Sequence, residues 1–143
     1  NLKEDIFPQI HHVRQDITTT VQDTLKATAA MREAGCKVII VLGGDGTHRA
    51  VVSQCGNIPI AGISTGTNNA FPEHREPTIT GLAVGLAAMG RVPDAVAFEG
   101  NKRLDIKIGD RAEDIAIVDV AVVTERFVGA KAIWKPKISV SFL

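Results

Sequence analysis

Two cysteines in 143 residues, Cys36 and Cys55, leave no disulfide framework and no metal-ligand spacing. Each stands beside an apolar segment, so the expected state is a reduced, partly buried thiol of a cytoplasmic protein. An excess of either charge is also missing: sixteen Lys and Arg balance sixteen Asp and Glu. That balance removes the electrostatic footprint of a nucleic-acid or anionic-membrane partner. No apolar run approaches the ~18 residues that a membrane-spanning helix needs. Residues 1–10 are mixed and polar, and we expect no signal peptide. Internal repeats and low-complexity stretches are absent too. What remains is 45% apolar and 22% charged, ordinary for a globular chain. Its length suits one compact domain, or one domain with part of another.

Residues 38–47 carry the strongest signal: Val-Ile-Ile-Val-Leu-Gly-Gly-Asp-Gly-Thr. Five apolar residues ended by turn residues predict a strand buried on both faces. Gly43, Gly44 and Gly46 let the backbone turn sharply and approach a ligand without Cβ clashes. Thr47 is then placed to open a helix whose N–H groups face an anion. Asp45 falls at the tip of the turn, at the carboxyl end of a strand, where open α/β sheets bind ligands. A carboxylate beside a phosphate suits two tasks: taking a proton from an attacking hydroxyl, or holding Mg²⁺ directly or through water. Gly-Asp-Gly alone is ordinary turn composition; the full pattern after an apolar strand is far more specific. It lacks the Gly-Lys-Ser/Thr of a Walker A loop and the Gly-x-Gly-x-x-Gly of a dinucleotide fingerprint. Of the two residues after Thr47, Arg49 is the better phosphate ligand, because its guanidinium stays charged and binds bidentately. A solvated helix face is the competing expectation for both His48 and Arg49.

The rest of the chain alternates. Residues 16–34 predict a helix, with Ile17, Val21, Leu25 and Ala29 four apart and Gly35 to close it. Three threonines at 18–20 weaken its start. A short helix over residues 47–54 and a strand over 58–63 follow. Residues 78–89 predict another helix, with Ile79, Leu82, Leu86 and Met89 on one side and Gly90 after its end. This is the alternation of a parallel α/β sheet. Beyond Gly90 the period becomes two, as Leu104, Ile106 and Ile108 alternate with Asp105 and Lys107. The apolar runs 115–123 and 138–143, with turn pairs such as Gly109-Asp110, predict an antiparallel sheet. We therefore place an α/β domain over 1–92 and the start of a β-rich second domain over 93–143. The first element is a helix and the last run stops without a turn, so the chain is expected to be a fragment.

The loop after the second strand is the other chemical constellation. Ser64, Thr65, Thr67, Asn68 and Asn69 gather many donors and acceptors, and Gly66 permits close backbone approach. The loop should leave the same sheet end as Asp45, and it suits ribose hydroxyls and phosphate oxygens. A polar loop satisfying its own backbone is the bland alternative. Phe71 is expected to pack rather than stack on a ligand. Residues 73–76 read as an exposed mixed-charge loop, and Trp134 as core or interface.

Residues 43–47 resemble the signature of the ATP-NAD kinase family, with related signatures in diacylglycerol-type lipid kinases and 6-phosphofructokinases. Within that family, residues 64–73, 114–122 and 125–132 resemble the acetoin-catabolism protein X-like branch, and the likeness covers about residues 27–136. It implies a Rossmann-like parallel-sheet kinase domain followed by a β-rich domain that completes the site. Asp45 would then be the catalytic acid/base or metal-linked residue. Gly43, Gly44, Gly46 and Thr47 would contact the nucleotide phosphates, and the residues' own chemistry adds Arg49, Ser64, Thr65, Gly66, Thr67, Asn68 and Asn69 as candidate nucleotide ligands. ATP with Mg²⁺ or another divalent cation, NAD as acceptor, NADP as product and a homo-oligomer are implied too. Departures concern the acceptor. Val118-Asp119 stands where established NAD kinases carry Asn-Glu, and Ser64 near another of their asparagines. Asp119 is the candidate acceptor ligand; facing solvent or pairing with Arg126 are the structural alternatives. Two rival functions follow. One is a related kinase for a lipid or sugar hydroxyl; the other is a nucleotide sensor without transfer.

Overall fold

The computed structural model describes residues 9–122. The chain divides into two compact units between Asn101 and Lys102. In the first, helix α1 spans Val21–Glu33 rather than starting at residue 16. The threonines that weaken a helix instead terminate it. Thr20 is extended (φ −123°), and its hydroxyl accepts from Gln22 N at 3.2 Å. The Asp23 carboxylate accepts from Thr18 N and Thr19 N at 3.0 and 2.7 Å. Ile17 consequently lies outside the helix and exposed, while Gly35 closes the other end at φ 74°.

Strand β1 (Ile39–Gly43) and strand β2 (Ile60–Ser64) form a parallel pair in register from Ile39↔Ile60 to Gly43↔Ser64. Helix α2 (Asp45–Gln54) connects them and packs on both β1 and α1. The core joins Ile39 and Val41 of β1 to Val51 and Cys55, with Met31, Ile58 and Ile60 against it. Each such side chain removed from water contributes about 1.5–3 kcal/mol. The expectation of a strand covered on both faces is corrected here. Ile39 and Val41 are buried, but Ile40 is 39% and Leu42 64% exposed. Period-two geometry sends them to the opposite face, which is covered at Ile63 of β2, the buried register partner of Leu42, but left open over β1.

Helix α3 (Pro77–Ala88) packs on β2. Glu76 caps it, its carboxylate accepting from Ile79 N at 2.7 Å, and Pro77 occupies the first position. So the 73–76 run is exposed, as expected, but also begins a helix. The apolar side of α3 is not core: Ile79, Leu82, Leu86 and Met89 are all exposed. A short helix α4 (Asp94–Ala97) follows.

In the second unit, strand β3 (Leu104–Ile108) pairs antiparallel with strand β4 (Arg111–Ala116) across the Gly109-Asp110 turn. The pairing shifts between Ile106 and Lys107. β4 begins ahead of the apolar run 115–123 and takes only its first two residues. The turn sets this register, not hydrophobicity. The segments 125–132 and 138–143, Arg126 and Trp134 lie outside the described residues. No described helix is long and apolar enough to cross a membrane.

Candidate functional site

The parallel register fixes the site's position. Because Gly43 is paired with Ser64, the turn after β1 and the loop after β2 leave the sheet side by side at its carboxyl end. Thr65 N donates to Gly43 O at 3.4 Å, continuing the ladder into the loops.

The first turn differs from expectation in one respect. α2 begins at Asp45, not Thr47, with extended Gly44 (φ −97°, ψ −172°) as its N-cap. Asp45 is thus the first helical residue. No side chain caps this helix, so the N–H groups of Asp45, Gly46 and Thr47 have no intrahelical acceptor. They and the helix dipole favour an anion here. A Cβ on Gly46 would meet nothing within 4 Å, so its backbone is open to a ligand. Gly43 serves packing instead: a Cβ there would fall 2.7 Å from the Thr47 side chain.

The two loops interlock through three side chains. Asp45 Oδ1 accepts from Phe71 N at 2.9 Å, and Oδ2 accepts from Ala70 N at 3.0 Å. These amides, Ala70's first, hold the Asp45 carboxyl below the usual carboxylate range, and His48 adds to the effect. Asn69 is wedged between two glycines. A Cβ on Gly44 would lie 2.6 Å from its Oδ1, and one on Gly66 2.8 Å from its Nδ2. Its Nδ2 donates to Ser64 Oγ at 2.9 Å, and Ser64 Oγ donates to Gly66 O at 3.3 Å. His48 is the third link and is fully buried, contrary to the solvated face expected for it. Its ring contacts Phe71, centroids 5.7 Å apart, so Phe71 packs within the protein.

The sequence-derived residues therefore sort by geometry. Gly46, Arg49, Thr65, Thr67 and Asn68 are exposed around the paired loops. Gly43, Gly44, Ser64, Gly66 and Asn69 build the frame; Asp45 and Thr47 are half-buried between. Asp119 belongs to the second unit, where it follows β4 and is exposed, not buried in a strand. Sequence reasoning weighed His48 only as a phosphate ligand or a solvated residue, and gave Gly62 no role. The spacing His48, Val51, Cys55 puts the histidine on the apolar face of α2, a signal present in the sequence.

Among the described residues no three His, Cys, Asp or Glu side chains converge on a metal position. A divalent cation would therefore be held largely by nucleotide phosphates and water, with Asp45 as the nearby carboxylate. Mg²⁺ is commonly bound with one or two carboxylates in this way, so the residues present fit a metal brought in by its nucleotide.

Comparisons with known proteins give the family. Residues 3–92 match the ATP-NAD kinase N-terminal domain, and residues 102–141 match the acetoin catabolism protein X C-terminal domain. The chain belongs to the ATP-NAD kinase family, in its acetoin-catabolism protein X-type branch. Acetoin catabolism protein X of Cupriavidus necator is 57% identical over 133 residues, 90% of this chain. The chain spans 37% of that relative's length. No solved structure matches.

Proposed function

We propose that this chain carries the phosphate-handling half of an ATP-dependent kinase that phosphorylates NAD to NADP. The supporting observation is the juxtaposition at the sheet's carboxyl end: uncapped helix N–H groups on one loop, hydroxyls and amides on the other, and Asp45 joining them. Phosphate oxygens would take the N–H groups of Asp45, Gly46 and Thr47, with Arg49 nearby. Thr65, Thr67 and Asn68 would bind ribose or phosphate from the facing loop. A divalent cation accompanying ATP would neutralise phosphoryl charge. Asp45 would position the attacking hydroxyl and receive its proton. Two backbone amides hold this carboxylate in place and keep it ionised at neutral pH, while its lowered basicity limits it as a base. Asp119 is assigned to the acceptor by resemblance alone.

The engaged state of Asp45 also favours a second reading, a nucleotide sensor that binds without transfer. One experiment separates the two. The full chain is incubated with NAD, ATP and Mg²⁺, and NADP is measured by a specific coupled assay. Wild type should form NADP, and Asp45→Asn should be slower by ~10²–10⁴. Thermal stabilisation by Mg²⁺-ATP without any NADP would sink the phosphorylation of NAD and leave the sensor or a kinase for another hydroxyl.

A further inference from the structure

His48 has no place in the phosphate site just described, yet it is the one large side chain that is fully buried among the described residues. Its Nδ1 lies 2.9 Å from Gly44 O. A carbonyl only accepts, so Nδ1 carries the proton and donates. The same oxygen accepts from His48 N at 3.1 Å, giving Gly44 two donors from one residue. Gly44 O and Asp45 N belong to one planar peptide. Fixing that carbonyl therefore fixes the direction of the Asp45 N–H, the first unpaired donor of α2.

The other edge of the ring reaches β2. Nε2 is buried with no hydrogen-bond partner. A Cβ on Gly62 would sit 2.7 Å from it, so the ring occupies the volume a side chain at 62 would need. Phe71, whose N–H binds Asp45, leans on the same ring. An apolar side chain would fill this space without leaving a polar atom unpaired. What it would lose is the bond to Gly44.

We propose that His48 is a positioning residue that ties the glycine turn to the second loop. Its Nδ1–H aims the Gly44–Asp45 peptide, and through it the Asp45 carboxylate that holds both amides. The kinetic consequence rests on the proposed role of Asp45; the positioning itself does not.

The test follows hydrogen exchange of the Ala70 and Phe71 amides in the full chain, with ¹⁵N spectra of the His48 ring. An asparagine places its amide near Nδ1, whereas a glutamine places it near Nε2. His48→Asn should keep protection within about threefold of wild type. His48→Leu and His48→Gln should lose about tenfold, the scale of one hydrogen bond. If the leucine variant does not fold, the contrast between Asn and Gln decides. Equal protection in Asn and Gln, or unchanged protection in a folded Leu variant, overturns the proposal, as does a wild-type ring protonated at Nε2 alone. Should wild type show this pattern and form no NADP, the kinase reading fails and the positioning role stands.

Discussion

The turn after β1 and the loop after β2 start from paired residues but are built in opposite ways. The first is almost all backbone: three glycines and a helix start that exposes N–H groups. The second is side chains, and its inner half turns them onto the first loop. Gly44 is a glycine because Asn69 lies where its Cβ would be, and Gly62 because His48 does. Glycines in a phosphate turn are ordinarily explained by the ligand's need for close approach. Here Gly46 fits that explanation, whereas Gly44 makes room for the neighbouring loop.

The largest effect should come from closing that room. Gly44→Ala forces Asn69 off its bond to Ser64, and overpacking of this kind costs about 1–3 kcal/mol. Denaturant unfolding reads it directly. Pairing it with Asn69→Ala, which removes the obstacle, should recover part of the loss; a strictly additive double variant would break the comparison. Next is the link between the loops. Asp45→Ala leaves the Ala70 and Phe71 amides to solvent and should cost about 1–2 kcal/mol, allowing for the site's partial exposure.

The pH dependence of that link is smaller and has a definite sign. Asp45's folded pKa is depressed. Its contribution is therefore complete above the unfolded carboxylate value, about 4, and is lost as pH falls through the lower folded value. Amide shifts of Ala70 and Phe71 should hold steady from neutral pH to about pH 4 and move together below it. Movement near neutrality would contradict the bonds described. Smallest in stability, and the sharpest contrast within one loop, is Thr67→Ala. Thr67 is exposed where Asn69 is wedged inside, so unfolding should change by less than about 0.5 kcal/mol. Mg²⁺-ATP affinity should fall instead.

The order α1, β1, α2, β2, α3 was legible because apolar period and turn glycines act locally. The start of α1 was hinted at by threonines 18–20, and the structure adds Asp23, which gathers their amides. The start of α2 was read two residues late, since Thr47 looks like a cap when Gly44 is the extended residue. What stayed hidden depends on contacts between loops more than a dozen residues apart. Asp45 on Ala70 and Phe71, and Asn69 on Gly44, have no periodic signature. The apolar residues Leu42, Ile79 and Leu82 promised burial that the described elements do not provide. Hydrophobic pattern states which side needs covering, not what covers it.

The most direct test of the central claim is to titrate the full chain with Mg²⁺-ATP and follow backbone amide resonances. Binding across the paired loops predicts that Asp45, Gly46, Thr47, Thr65, Thr67 and Asn68 shift together and saturate with one dissociation constant. Saturating shifts that leave both loops unmoved would contradict it.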